Sequence, residues 1–390
     1  MRVSHLSLSD FRNYERAELA LEPGANLILG RNGQGKTNLV EAIAYFASLR
    51  SHRVSNDAPL IRAHRDAAIA RLRVESGARV VQLELQLNRS GPNRAQVNRN
   101  PVRQRELARW FAAVAFVPED LTIVRGEPSG RRRFMDEALI ARHPVAAGAL
   151  ADYERVVRQR TALLKSARGS GGRSALDSTI GLWDDQLVEY GTQIMVARRE
   201  LIRDLGSPLS DGYQRLVEQD HRPGLSLQES VSAAISSDQV SRETSDAATL
   251  ADVPRETLIA EFRSALDAVR SRELERGVTL VGPHRDDLML QLNGLPVKGY
   301  ASHGESWSFA LSLKMGLASI LRDESPAGDP VIILDDVFAE LDAVRRERLM
   351  TAVSDFEQVI VTAAVEGDVP SGVPWNRIRI EAGAIVPESL

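Results

Sequence analysis

A chain of 390 residues, 43% hydrophobic and 26% charged, has the make-up of a globular protein and room for two or three domains. It has no cysteine, which excludes disulfides and thiolate metal sites, and no apolar run approaches the roughly 20 residues that span a bilayer. A net charge of −4 and 5% aromatic residues argue against a uniformly basic nucleic-acid binder and against a broad stacking platform, but leave room for a local basic patch.

In chain order, Arg2 to Leu8, Ala17 to Leu21 and Ala25 to Leu29 alternate as strands do, and Lys36 to Leu49 has helical periodicity. Ala67 to Val74 and Val80 to Leu87 predict an antiparallel pair, and Ala112 to Val117 a buried strand. Long helical patterns follow over Arg131 to Lys165 and Leu176 to Leu205, with Arg168 to Ser174 between them as a flexible connection. Ser226 to Leu250, rich in Ser, Thr, Asp and Ala, reads in part as a mobile insertion, and Arg255 to Arg276 as a further helix. Thr279 to Val281 is a strand candidate. Asn293-Gly294 is a hairpin turn between Asp287 to Leu292 and Pro296-Val297. Glu305 to Arg322 predicts a helix, and Val331 to Leu334 and Gln358 to Thr362 predict buried strands. The expected fold is α/β: residues 1–128 and 277–390 form one head, and residues 129–276 a mainly helical insertion.

Gly30-Arg31-Asn32-Gly33-Gln34-Gly35-Lys36-Thr37 matches G-x-x-x-x-G-K-[ST], between a predicted strand and a predicted helix. In such a loop, glycines let backbone amides turn inward around phosphate oxygens, and the helix N-terminus adds positive charge. Lys36 is expected at the β- and γ-phosphates of ATP and Thr37 on Mg²⁺. Val331 to Leu334 followed by Asp335-Asp336 reads as a Walker B strand. Asp335 is placed to hold Mg²⁺, and Asp336 to orient or deprotonate the attacking water.

Ser302-His303-Gly304-Glu305-Ser306 opens the helix before that strand. It reads either as a variant of the ABC signature, offering a hydroxyl and amides to an anion, or as a plain serine cap. Arg89, Arg94, Arg99, Arg103, Arg105 and Arg109 crowd one stretch whose only acid is Glu106; this is a phosphate-tracking surface or a solvated face. Arg131 to Arg133 are candidates for ion pairs inside the head, and His284 and Arg285 read as structural.

Around these motifs the chain resembles the RecF family nearly throughout. The resemblance rests on Leu8 to Tyr14, Asn38 to Ala42, Val117 to Leu121, Gly126 to Asp136, Val281 to Leu288 and Leu334 to Asp342. It implies an ABC-type ATPase head of two lobes with an inserted helical arm. It also implies nucleotide contacts from Gly30 to Asn38 of one subunit and from Ser302, Gly304 and the D-loop Asp342 of the other. ATP would then close a homodimer on DNA at single-strand/double-strand junctions, hydrolysis would be slow, and the clamp would help load RecA together with RecR and RecO. The implied location is cytoplasmic and nucleoid-associated, with Arg94, Arg99, Arg103 and Arg105 as the DNA-contacting candidates. Val359 to Ala364 lies where many ABC proteins place a switch histidine and holds none, with Thr362 a candidate to touch phosphate there, and no Q-loop glutamine emerges after Val117. A transporter subunit would place its signature much nearer Walker A. A chromosome-organising protein would carry a long heptad repeat. A P-loop kinase or GTPase would not need the Ser302 or Phe338 to Asp342 blocks.

Overall fold

The computed structural model describes residues 1–170, 173–235 and 253–386. They form two compact units. One comprises Met1–Leu121, Ser207–Asp220 and Ser302–Leu390, and the other Thr122–Gly206 and His221–Ala301.

The first unit holds two six-stranded sheets. The antiparallel one has the order β2 (Tyr14–Ala20), β1 (Arg2–Phe11), β4 (Ala67–Ser76), β5 (Arg79–Asn88), β6 (Arg94–Val97), β7 (Asn100–Val102). The other runs β15 (Ala384–Val386), β14 (Asn376–Glu381), β3 (Gly24–Leu29), β13 (Gln358–Ala363), β12 (Val331–Asp335), β8 (Ala113–Phe116), with every pair parallel except β14 and β15. Helix α1 (Lys36–Ser48) is buried around most of its circumference, as expected of a helix apolar on all sides. Its Leu39, Ile43 and Phe46 share one core with Leu6, Leu8 and Leu72 of the antiparallel sheet and Ile333 and Ile360 of the parallel one. Gln358, fully buried, clamps the two sheets: its amide oxygen accepts from Val3 N and its amide nitrogen donates to Val3 O, both at 2.8 Å.

The second unit is mainly helical: most of α2 (Leu121–Arg125), α3 (Pro128–Arg142), α4 (Ala146–Ser170), most of α5 (Arg173–Val217), α6 (Ser230–Ile235) and α7 (Arg255–Arg276). Beside them lies a three-stranded sheet, β11 (Leu295–Pro296), β10 (Asp287–Leu292), β9 (Gly224–Gln228). Its interior is ionic as well as apolar. Arg160, fully buried, donates to Asp184 at 2.7 Å and to Glu273 at 2.6 Å. Arg198 donates to Asp136 at 2.7 Å, and Arg199 grips Glu229 through two bonds.

Several expectations change. The long helix over Arg131 to Lys165 begins at Pro128 and breaks at His143, because Pro144 disfavours helical geometry in the residue before it. The connection at Arg168 to Ser174 is helical as far as Ser170 and again from Arg173; residues 171–172 lie outside the described residues. Of Ser226 to Leu250, the start is strand β9 and helix α6, and 236–250 lie outside the described residues. Thr279 to Val281 is not a strand, because side chains take its backbone groups: Leu280 N donates to Glu273, and Thr279 O accepts from Arg285 at 2.9 and 3.0 Å. The boundary expected near residue 277 falls at 301/302, since β10 pairs along its length with β9 of the helical unit. The Asn293-Gly294 turn forms as expected, with both residues at positive φ and Leu292 opposite Leu295.

Truncating Arg160→Ala leaves Asp184 and Glu273 buried without their shared cation. Breaking a buried pair in this way costs about 3–5 kcal/mol. The expected outcome is a clear drop in the urea midpoint of the helical unit's transition; a midpoint equal to wild type would mean that these carboxylates are neutral or hydrated in solution.

Candidate nucleotide site

The parallel sheet delivers the site. Strand β3 ends at Leu29, and the chain turns through Gly30 to Gly35 into the N-terminus of α1. A Cβ added at Gly30 would sit 2.6 Å from the Ile380 carbonyl oxygen, and Gly33 and Gly35 hold φ of +83° and +105°. These are the close approach and left-handed turns for which glycine is needed. The loop is braced from one side by the β1–β2 turn: Tyr14 Oη and Asn13 Nδ2 would each lie 2.7 Å from a Cβ at Gly35. Asn13 accepts from Asn38 at 2.7 Å. Arg12 grips buried Glu41 of α1 through bonds of 2.6 and 2.9 Å. Burial pushes the Glu41 carboxyl up, but hydrogen bonds from Arg12 and Ser51 outweigh it and hold the group below the usual carboxylate range. The Leu8 to Tyr14 segment thus supports the loop, a role its sequence did not disclose.

Asp335 ends β12, only 2% exposed. Its Oδ1 accepts from Thr37 Oγ1 at 3.2 Å, across 298 residues of chain, and from Thr362 Oγ1 at 2.6 Å. Thr362 lies directly opposite Asp335 in the parallel register, and its hydroxyl also accepts from Asp336 N at 2.9 Å. Thr362 therefore holds the Asp335 carboxylate and the backbone of Asp336. Burial drives the Asp335 carboxyl up to about 6; the two threonine hydroxyls oppose this, while the charges of Asp336 and Glu119 add to it. Burial also raises Asp336, against the pull of Lys36, with Asp368 pushing the same way as burial. Glu119 follows β8, where a Q-loop residue was sought, and its charge reaches Asp335. Asp336 itself takes φ +52°, a left-handed turn that carries the chain off the strand end.

The structure brings Lys36, Thr37, Asp335, Asp336 and Thr362 together. Ser302, Gly304 and Asp342 form a second cluster. Ser302 caps helix α8 (His303–Glu324) in a capping box: its hydroxyl accepts from Glu305 N at 3.2 Å, and the Glu305 carboxylate accepts from Ser302 N at 2.8 Å. Asp342 caps α9 (Ala343–Val353) by accepting from Arg345 N at 2.9 Å. Arg345 lies over Gly304, where a Cβ would meet its guanidinium at 2.7 Å, and His303 stands 3.8 Å from Glu340. Signature and D-loop segments thus touch each other. Arg131 pairs with Asp287, Arg132 donates to Asp286 O and Arg133 pairs with Glu137. These contacts lie within the helical unit and not in the head as expected, because α3, Asp286 and β10 all belong to that unit. His284 and Arg285 are structural as read: His284 bonds Tyr153 Oη at 2.8 Å.

The donor set fits Mg²⁺-ATP. A hydroxyl and one carboxylate are hard oxygen ligands, and Mg²⁺ in phosphate sites takes only one or two protein ligands beside phosphate oxygens. Among the described residues no group of three or more His, Cys, Asp or Glu is arranged to hold a metal ion alone.

A glycine-rich loop opening a helix, a pair of acids at the end of a parallel strand of the same sheet and a serine-capped helix before it define an ABC-type ATPase head. The family model described as RecF/RecN/SMC N terminal domain matches residues 2–380. The protein named DNA replication and repair protein RecF from Leifsonia xyli subsp. xyli is 53% identical over all of both chains. Its namesake from Clavibacter sepedonicus is 51% identical over 99% of this chain and 95% of its own. Among solved structures, the recombination mediator protein RecF with ATP in the RecFOR pathway has a TM-score of 0.83 at 26% identity, covering 98% of this chain and 96% of that one. The chain belongs to the RecF family.

A carboxyl raised in the folded state stabilises the fold at low pH and loses that contribution as pH rises through its folded value. For Asp335 the window runs from about pH 4 to about pH 6. Asp335→Asn should therefore melt higher than wild type at pH 7.5 without nucleotide, by up to about 3 kcal/mol, and lose that advantage below pH 4. Melting curves across pH are the check; an equal difference at all pH values would show that the carboxyl is not raised.

Proposed function

We propose that this chain is an ATP-dependent DNA-binding protein of recombinational gap repair, closing as a homodimer on DNA at single-strand/double-strand junctions. The observation that carries the nucleotide half is the convergence of Thr37 and Thr362 on one buried Asp335 oxygen. In this reading Lys36 faces the β- and γ-phosphates, the amides of Gly30 to Asn38 cradle them, and Thr37 and Asp335 hold Mg²⁺. Asp336 orients the attacking water and accepts its proton. Its short side chain suits slow hydrolysis, which DNA would accelerate. Ser302, Gly304 and Asp342 would cover nucleotide held by the partner subunit, so that ATP joins two heads and hydrolysis releases them. The helical unit serves as the arm.

The names borne by the relatives, replication and repair and the RecFOR pathway, support the DNA half. By resemblance the partners are RecR, RecO and, through them, RecA, and the location is the cytoplasm at the nucleoid. Among the described residues no helix is long and apolar enough to cross a membrane. Arg94, Arg99 and Arg103 are exposed, and Arg105 is half-buried. All four are the proposed phosphate contacts.

Asp336→Asn should keep ATP binding and slow turnover by about 100-fold or more, because an amide cannot take up the proton. Sizing over time after ATP addition should show the variant remaining dimeric longer than wild type. Unchanged turnover would remove Asp336 from this role.

Replacing Arg94, Arg99 and Arg103 together by Ala should flatten the slope of log affinity against log salt for gapped duplex by roughly 2 to 3, if all three touch phosphate. ATP binding should not change. A salt titration in saturating ATP that gives the wild-type slope would reduce the run to a solvated face.

A further inference from the structure

We infer that the edge formed by β6, β7 and the 3-10 helix Gln104–Arg109 is a docking surface for single-stranded nucleic acid, with an unpaired base stacking on the Trp110 indole. The inference rests on the DNA-binding reading above and adds the form of the ligand.

Pairing separates this edge from strands β1 and β4 of its sheet. On neighbouring strands Arg2 pairs with Glu75 at 2.6 Å and Arg71 with Glu84 at 2.5 Å. Among the described residues, the side chains of Arg94, Arg99, Arg103, Arg105 and Arg109 have neither an ion pair nor a hydrogen bond. Their charge is not cancelled locally, in a chain whose net charge is −4.

Arg99 occupies a costly position. The β6–β7 turn is Asn98-Arg99, between the paired residues Val97 and Asn100, and both take positive φ, +50° and +67°. Asn tolerates that conformation, while the second position of such a turn favours glycine. Asn98 is locked by exchanging hydrogen bonds with Gln82, from its own N to Gln82 O at 2.8 Å and to its side chain from Gln82 N at 2.9 Å. The turn thus holds an arginine at its tip where glycine would relax it.

Trp110 caps the 3-10 helix. Leu107 and Ala108 of that helix are buried, whereas Arg103, Arg109 and Trp110 are exposed, the indole residue at 42%. In the first unit it is the one large aromatic so exposed among the described residues. An indole face beside arginines binds a base whose own face is free, and a duplex offers such faces only at ends and gaps. Arginine-tracked phosphates with one stacked base fit a single strand better than a continuous duplex.

The test uses the full chain in Mg²⁺-ATP with a labelled oligo(dT) strand and a duplex of equal length closed by a hairpin loop at each end. Wild type, Trp110→Phe, Trp110→Ala and the triple arginine variant are compared by anisotropy, by Trp fluorescence and by thermal melting. Trp110→Ala should weaken oligo(dT) binding by about tenfold, leave the duplex affinity within twofold, and remove the quenching that oligo(dT) causes in wild type. Trp110→Phe should retain most of the affinity. If the arginine variant weakens both ligands while Trp110→Ala changes neither, the DNA reading stands and the stacking inference is overturned. If neither variant changes any affinity, both fail at this surface. If Trp110→Ala changes the sizing of the protein but not DNA affinity, Trp110 covers a protein contact and the inference is likewise overturned.

Discussion

Everything at the nucleotide site turns on one buried oxygen. Asp335 Oδ1 receives two hydroxyls, from the helix that follows the glycine loop and from the neighbouring parallel strand. Neither hydroxyl carries charge, so the carboxylate is held in place but not neutralised. Burial leaves it reluctant to ionise, and Asp336 and Glu119 make it more so. A group in that condition gains most from a small divalent cation, which supplies the missing charge and takes the remaining ligands from phosphate. Lys36, which pulls on Asp336, is the compensating charge the chain itself brings. The same arrangement makes the site costly without nucleotide and favourable with it, as a binding switch requires.

That oxygen is placed by packing remote from it. The parallel register sets Thr362 opposite Asp335, and the same register sets Ala363 opposite Leu29, where the glycine loop begins. The β1–β2 turn fixes the other side of the loop through Arg12 on Glu41 and through Tyr14 and Asn13 against Gly35. Gln358 ties the antiparallel sheet to the start of β13. The two side chains against Gly35 leave no room for a Cβ there, which fixes the loop on that side.

The motifs legible in the sequence were those set by local spacing. The glycine loop, the Walker B acids, the Asn293-Gly294 turn and the Ser302 cap all depend on residues close in the chain. What escaped was non-local. Thr362 could be suspected of touching phosphate, but only strand pairing shows that its hydroxyl is spent on the Asp335 carboxylate and the Asp336 amide. Glu119, within the Val117 to Leu121 motif, gave no sign in sequence that its charge reaches Asp335. The strand expected at Thr279 to Val281 failed because apolar pattern does not reveal that Glu273 and Arg285 occupy its backbone groups. Ser302 satisfies the cap reading within one chain, and that does not exclude a role toward a second one, since a cap spends one lone pair and leaves the hydroxyl proton.

Arginine density gives the sharpest case of what sequence cannot weigh. The runs Arg131 to Arg133 and Arg94 to Arg109 look alike as clusters of positive charge. In the first, each guanidinium has a partner: Asp287, the Asp286 carbonyl and Glu137. Its charge is consumed within α3 and in holding α3 to the start of β10, with Arg198 and Arg199 serving the same helical unit on Asp136 and Glu229. In the second run the only nearby acid in sequence, Glu106, engages none of the arginines. A charge already paired inside the protein can attract a phosphate only by giving up its partner, at a cost of several kcal/mol where the pair is buried. An unpaired surface arginine gives up only water and counterions. The difference between a structural arginine and one available to a polyanion therefore lies in where the nearest carboxylate stands after folding.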